Sequence, residues 1–292
     1  MGQWELFGII FIQTLFILIK MKLQKPHYIL IGLFGILLII YLFNGKKELS
    51  ITDDYIPLKV WQTYKSRDLP PEAERCRQTW INQEKTRYHF MSDIDIEKFI
   101  RNNFSDAIYY VFISLPLGVM RADLWRYCVL YKHGGIYSDI DSVLLLPISK
   151  WTIGKSDKII IGLENDIHFC QWTIVSSPGH PILKMVIDMV VTEFQNGIDI
   201  NYEHFVHKHT GPGIWTKAIN TTLGFKPDQK AIDTWKCYHN PKFKNKFEKM
   251  GIRLESKDLF SREYVKNLFG STQFKDGYES WITEKKKLLV GN

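Results

Sequence analysis

The chain has 292 residues, of which 45% are apolar and 14% aromatic, enough for a sizeable core and incompatible with an intrinsically disordered protein. Its formal net charge is +7, which suits an anionic partner such as a nucleotide's phosphates, a membrane surface or nucleic acid. The basic residues are scattered apart from short runs such as Lys285-Lys286-Lys287, and none falls in the basic and aromatic pattern of a nucleic-acid module, so no nucleic-acid partner is expected.

In chain order the first features are two apolar runs, Leu6 to Ile19 and Tyr28 to Phe43. The second carries no charge, and as a helix it would reach about 24 Å at 1.5 Å per residue, a little short of the usual span unless flanking residues lie at the interfaces. A buried core helix is the other reading of the same run. Lys20, Lys22 and Lys25 lie between the runs and are expected to stay cytosolic by the positive-inside rule. The rest of the chain is then luminal whether the second run spans alone or both span. The expected division is residues 1–27 as an N-terminal segment with a candidate extra membrane helix, 28–43 as a signal anchor, 44–56 as a short stem and 57–292 as one catalytic domain. Such a chain is a single-pass type II membrane protein, facing the lumen of the Golgi or endoplasmic reticulum in a eukaryotic cell.

Beyond the stem, patterning predicts a strand at Leu58 to Gln62, a helix containing Trp80 after Pro71, a strand at Tyr88 to Met91 and helices at Ile96 to Asn102 and Gly118 to His133. Strands at Ile136 to Asp141, Ile159 to Leu163 and Trp172 to Val175 follow, then a helix from Pro181 to Phe194 with its proline in the first turn. Strands alternating with helices indicate an α/β fold. Cys76, Cys128, Cys170 and Cys237 are far apart and lack the spacing of a structural zinc site; they permit up to two disulfides and require none. Asn103-Phe-Ser105 and Asn220-Thr-Thr222 are glycosylation sequons, about as many as chance supplies.

The chemistry concentrates in Arg121 to Asp141, RADLWRYCVLYKHGGIYSDID. Met120, Leu124, Tyr127, Cys128 and Tyr131 fall at helical spacing and are expected to form the buried stripe. Asp123 and Arg126, three apart, share another face; alone, such a pair would read as a surface ion pair. Gly134 and Gly135 can take positive φ and turn the chain into a strand. There a period of two puts Tyr137, Asp139 and Asp141 on one side. Two carboxylates at a strand end can hold a hard divalent cation and leave room for substrate phosphates, whose departure the cation assists as a Lewis acid. An Asp-x-Asp pair is weak evidence alone, because Ser-Asp-Ile-Asp occurs twice, at Ser92 to Asp95 and at Ser138 to Asp141. The first copy precedes a helical pattern, so Ser92, Asp93 or Asp95 is read as a helix N-cap or loop residue.

At these residues the chain resembles glycosyltransferase family 32, the group with a DXD-containing sugar-binding region, and within it the fungal Golgi α-1,6-mannosyltransferase branch. The likeness extends from Val60-Trp61-Gln62-Thr63 through RADLWRY, GGIYSDID and FCQWTIVSSPGHPIL (Phe169 to Leu183) to Thr210-Gly-Pro-Gly-Ile-Trp215. It implies a GT-A-like nucleotide-sugar-binding fold, a mixed sheet flanked by helices. It also implies retaining hexose transfer with GDP-mannose as donor, a divalent metal, Mn²⁺ or else Mg²⁺, and a glycan acceptor. By the same analogy Asp141 is the direct metal ligand, Asp139 touches the ribose or the metal shell, and Asp123, Arg126 and Tyr137 face the donor, with Asp139, Asp141 and Arg126 carrying catalysis. Trp61 matches a position that meets the nucleotide base, and a core tryptophan is its other reading. The family often ends in Gly-Ser-Trp, whereas Gly277-Tyr-Glu-Ser280-Trp281 spaces the glycine differently. Ser280 and Trp281 are still candidates to close on the diphosphate, with Ser280 and His239 as further metal-ligand candidates. Glu164 and Asp166 either face the acceptor or line a polar loop. Two rival functions remain open: transfer to a glycolipid such as inositol phosphoceramide, and a non-catalytic carbohydrate-binding protein that keeps the fold.

Overall fold

The computed structural model describes residues 55–268 and 286–288. The two apolar N-terminal runs, most of the stem, Ser280 and Trp281 lie outside the described residues; among those described, no helix is long and apolar enough to cross a membrane.

The chain runs β1 (Lys59–Tyr64), α1 (Pro71–Ile81), β2 (Arg87–Ser92), α2 (Asp93–Asn103), α3 (Asp106–Ser114), α4 (Gly118–His133) and β3 (Gly135–Ser138). Next come β4 (Ser142–Leu144), β5 (Ile159–Gly162), β6 (Thr173–Ser176), α5 (Pro181–Gln195), α6 (Phe205–His209) and α7 (Pro212–Thr222). The last elements are α8 (Ala231–Tyr238), α9 (Lys244–Glu248), β7 (Ile252–Glu255), a π-turn at Leu259–Tyr264 and β8 (Val265–Asn267). Six strands form one sheet in the order β2-β1-β3-β6-β5-β7. β1 is parallel to β2 and β3, β5 is parallel to β7, and β6 runs antiparallel between β3 and β5. This is the expected α/β fold with a mixed sheet flanked by helices.

Both faces of the sheet are covered, and the period of two divides the strand residues between them. Trp61, Tyr137, Ile159, Ile161 and Ile174 pack into the larger core with α4, α5 and α7. Their neighbours Val60, Ile136, Ile160 and Val175 pack with Trp80, Trp151 and Phe260 on the other side. Burying the indoles costs no hydrogen bond for several of them: Trp80 Nε1 donates to Ser142 O at 2.9 Å, Trp151 Nε1 to Leu146 O at 2.8 Å and Trp215 Nε1 to Cys170 O at 3.0 Å.

Two expectations change at the centre of the chain. The strand predicted to reach Asp141 ends at Ser138, because Ser142 donates through its N–H (3.2 Å) and its hydroxyl to Asp139 O. That turn sends the chain into β4, which leaves the main sheet and pairs antiparallel with β8. Helix α4 shows no single buried stripe: Asp123 and Arg126 are buried along with Leu124, Trp125 and Tyr127, and Tyr131 is only half-buried. It packs against α5, α2 and the sheet, so the surface-pair reading of Asp123 and Arg126 does not hold. The first Ser-Asp-Ile-Asp copy is a helix start: Asp95 Oδ2 accepts from Ser92 N at 3.0 Å and from Ser92 Oγ at 2.7 Å, a capping box for α2. All four cysteines are free. Asn220 is fully buried, its amide donating to Gln229 O at 2.7 Å and accepting from Thr234 Oγ1 at 2.7 Å, so that sequon is a core network in the folded protein.

Candidate active site

Two glycines carry the chain from α4 into the site. Gly134 (φ +62°) and Gly135 (φ +108°) occupy backbone conformations that L side chains rarely adopt, and a Cβ on Gly135 would sit 2.5 Å from Lys59 O. Their turn brings β3 against β1, with Tyr137 opposite Trp61. The turn beyond β3 is pinned through its backbone. Asp139 N donates to Trp172 O at 2.8 Å, Gln62 Nε2 donates to Asp139 O at 3.1 Å, and Leu268 N donates to Asp141 O at 2.9 Å. Underneath, Ser138 Oγ bonds Ser142 Oγ at 2.5 Å and Thr173 Oγ1 at 2.8 Å. With main chain fixed on three sides, the carboxylates of Asp139 and Asp141 are held toward one cleft.

The floor of that cleft is a buried polar network. Arg126 Nη2 lies 2.9 Å from Asp123 Oδ1 and 3.1 Å from Asp139 Oδ1, its Nη1 donates to Gln171 O at 3.1 Å, and its guanidinium stacks 4.6 Å from the centre of the Tyr137 ring. Asp123 also accepts from Gln171 Nε2 at 2.9 Å and Thr210 Oγ1 at 2.8 Å. Tyr137 OH donates to Asp139 Oδ1 at 2.5 Å. The Arg126 and Asp123 side chains are only 4% and 3% exposed, so neither charge is tolerable without the other. Burial works against the guanidinium's charge, yet Asp139 and Asp123 hold its pKa above even the ordinary arginine value.

The cleft has a volume of about 600 Å³. It opens at the carboxyl ends of β1, β3 and β5 and at the amino end of antiparallel β6, where Thr63, Asp139, Glu164 and Trp172 meet, the edge where open α/β sheets bind ligands. Asp93, Asp123, Asp139, Asp141 and Glu164 line it against two cationic side chains, Lys65 and Arg126. Burial, and then the charge of Asp139, push the Asp141 carboxyl up to about 7. The same two causes raise Glu164 to about 7. Asp139 is raised by burial and held back by Arg126 and Tyr137.

These carboxyls are costly to ionise alone and fit a divalent cation. Among the described residues no group of three or more His, Cys, Asp or Glu is gathered for a metal, so they offer no closed cage. Two carboxylates beside an open cleft are what Mg²⁺ or Mn²⁺ uses when substrate phosphates complete the coordination. Asn267 Nδ2 donates to Asp141 Oδ1 at 3.3 Å and steadies that carboxylate.

Asp123, Arg126, Tyr137, Asp139 and Asp141 therefore meet at one cleft. Trp61 does not join them: it lies in the core, stacked between His89 and His133 with ring centres at 4.3 and 5.6 Å, its Nε1 bonded to Gly134 O at 2.9 Å. His239 is exposed at the end of α8 against Trp235 and Tyr238. Glu164 lines the cleft, whereas Asp166 is exposed on the neighbouring loop. Sequence reading assigned no role to Gln171, Thr210 or Asn267. Gln171 and Thr210 stand inside segments that it did single out, Phe169 to Leu183 and Thr210 to Trp215. For Asn267 no signal was available, because it reaches Asp141 through the pairing of β8 with β4, 126 positions away.

Residues 61–159 match the family described as glycosyltransferase sugar-binding region containing DXD motif. The initiation-specific alpha-1,6-mannosyltransferase of Schizosaccharomyces pombe is 33% identical over 198 residues, covering 59% of this chain and 50% of that protein. The protein of the same name from Saccharomyces cerevisiae is 27% identical, covering 64% of this chain and 60% of that one. Inositol phosphoceramide mannosyltransferase 2 of S. pombe is 30% identical over 141 residues, covering 45% and 37%. The chain thus spans half to three-fifths of the length of the alpha-1,6-mannosyltransferases it matches. The matched segment runs from β1 through the Asp139–Asp141 turn to the start of β5, so it is the part of the chain that builds the cleft which is similar to the glycosyltransferase sugar-binding region containing a DXD motif.

Proposed function

We propose that this chain is a metal-dependent, retaining glycosyltransferase that moves mannose from GDP-mannose to a glycan acceptor. The observation that carries the reading is the acidic cleft at the carboxyl edge of the sheet, with the Asp139 and Asp141 carboxylates fixed into it. A nucleoside diphosphate would be repelled by so many carboxylates on their own. A divalent cation, Mn²⁺ or Mg²⁺, held by Asp139 and Asp141 would supply the charge neutralisation that a departing diphosphate needs. Arg126 holds Asp139 and Asp123 in place from beneath, and Tyr137 fixes the Asp139 oxygen that faces it. In this reading the acceptor hydroxyl oxygen bonds the anomeric carbon on the face from which the phosphate oxygen leaves, and the hydroxyl proton passes to that phosphate oxygen. No nucleophile from the protein is needed. Residues 28–43 would anchor the domain in a luminal orientation, and Ser280 and Trp281 would close on the diphosphate.

Release of free nucleoside diphosphate by the full chain in detergent tests this, with a panel of GDP- and UDP-sugars, with and without Mn²⁺, alongside Asp141→Ala. Metal-dependent turnover of GDP-mannose that disappears in the variant is expected. Metal-independent turnover, or equal activity in Asp141→Ala, would overturn the site. Transfer to a glycolipid is the second reading, favoured by the likeness to inositol phosphoceramide mannosyltransferase 2; oligomannose and inositol phosphoceramide offered in parallel separate the two. A folded protein that binds GDP with Mn²⁺ and turns over no donor with either acceptor would indicate the non-catalytic alternative.

A further inference from the structure

Four of the five carboxylates of the cleft have protein partners. Asp123 and Asp139 share Arg126, Asp141 is bonded by Asn267, and Asp93 is also engaged. Glu164 differs: among the described residues its carboxylate meets no hydrogen-bond donor and no ion-pair partner, and only the field of Lys257 favours its charge. A half-buried carboxylate that lines the cleft and has no protein donor is open to a ligand there, and the loop that carries it is firmly built.

That loop is the tip of the β5–β6 hairpin. Leu163 bridges Phe169, Glu164 N and Asn165 N both donate to His168 O at 3.1 and 3.2 Å, and Asn165 Oδ1 accepts from Ile167 N and His168 N at 2.8 Å each. The start of α8 holds the outside of the tip through Ala231 N to Ile167 O (3.1 Å) and Ile232 N to Asp166 O (3.0 Å). On the inside, the His168 ring stands edge-on to His207 with centres 4.3 Å apart. His207 of α6, with Gly211 and Pro212 at the start of α7, lines the same cleft as Glu164. The result is a wall braced by backbone hydrogen bonds, with Glu164 and His207 lining the same cleft.

An ionised carboxylate repels a bare phosphate, whereas neutral hydroxyl groups are donors that a carboxylate accepts from without repulsion. We infer that Glu164 and the adjoining His207–Pro212 face form the acceptor subsite, with the Glu164 carboxylate accepting a hydrogen bond from a hydroxyl of a polyhydroxylated ring, a sugar or an inositol. This rests on the glycosyltransferase reading of the cleft and adds where the second substrate sits.

The test uses the full chain in detergent with Mn²⁺, comparing the parent with Glu164→Gln. Affinity for GDP is measured by calorimetry, and acceptor KM and kcat by transfer from GDP-mannose to an oligomannose glycan and, separately, to inositol phosphoceramide. Glu164→Gln is expected to raise the KM of whichever acceptor the parent uses by about tenfold or more, as loss of a hydrogen bond to a charged group does, with GDP affinity unchanged. An unchanged acceptor KM overturns the inference, as does a loss that falls on GDP or GDP-mannose affinity instead. A parent that binds GDP and uses neither acceptor also overturns it and leaves the donor site standing. A parent that binds no GDP removes the glycosyltransferase reading and the subsite with it. Glu164→Gln should unfold no earlier than the parent, which separates loss of binding from loss of fold.

Discussion

Asp141 gives the sharpest test of how the site is built, because the feature that suits it to a metal should destabilise the metal-free protein. The side chain is buried, and its carboxyl sits at about 7 through burial and the charge of Asp139. In the unfolded chain it returns to the ordinary value near 3.9. Between those values the folded state binds more protons than the unfolded state, so stability falls as pH rises and levels off above pH 7. A gap of about three pH units corresponds to about 4 kcal/mol, a large share of the 5–15 kcal/mol that a typical domain possesses. Asp141→Asn removes this charge and keeps an oxygen for the Asn267 amide. In chelator, urea unfolding should give a variant more stable than the parent by about 1–2 kcal/mol at pH 5 and by about 4 kcal/mol at pH 8. Adding Mn²⁺ at about 100 times its dissociation constant should restore about 2.7 kcal/mol to the parent and far less to the variant. Other groups titrate over the same range, so the difference between the two proteins is the quantity to read. Parallel pH profiles, or equal stabilisation by Mn²⁺, would show that Asp141 is neither destabilising when bare nor a ligand.

Three further outcomes follow from the same geometry. Arg126→Met strands the buried Asp123 carboxylate and unpairs Asp139, and should cost about 3–5 kcal/mol in urea unfolding, with Asp123→Asn in the same chain restoring part of it; a loss under 1 kcal/mol would mean that the network is dispensable. Gly135→Ala forces a Cβ against Lys59 O at positive φ and should lower stability by about 2–4 kcal/mol, whereas an unchanged unfolding midpoint would contradict the close β1–β3 approach. His180 caps α5, its Nδ1 accepting from Ile182 N at 3.2 Å and its Nε2–H pointing at Met250 O at 3.0 Å, and burial pulls its pKa down to about 4. Its contribution is complete above the unfolded pKa near 6.5 and is lost as pH falls toward 4, about 3 kcal/mol in all, so the parent should lose that much more than His180→Asn between pH 7.5 and 4.5; equal losses would refute the neutral cap.

Local pattern carried the reading wherever a local cause decides the structure. The helix from Gly118 to His133 was legible to the residue because a Gly-Gly pair ends it, and β5 because an Ile-rich run buried on both faces has few other uses. The reading failed where distant chain decides. Periodicity on α4 missed the burial of Asp123 and Arg126, since their partners Gln171, Thr210 and Asp139 arrive from the segment before β6, the α6–α7 turn and the turn after β3. Trp61 was open between the nucleotide base, by likeness to a family position, and the core; its stacking partners His89 and His133, legible only in three dimensions, put its ring in the core.

The repeated Ser-Asp-Ile-Asp makes the division concrete. In both copies the serine is the last residue of a strand, and β2 and β3 both run parallel to β1, so both copies emerge at the same edge of the sheet. After Asp95 the apolar residues Ile96, Phe99 and Ile100 recur at helical spacing, and Ile96 and Ile100 are buried. A helix therefore starts there, and Ser92 claims the Asp95 carboxylate for its cap. After Asp141 comes Ser142-Val-Leu, which pairs with β8 instead. Ser138 is drawn sideways to Ser142 and Thr173, so no serine cap consumes the Asp141 carboxylate. The same four residues become a structural cap or a candidate metal site according to whether the next few residues leave the second carboxylate free.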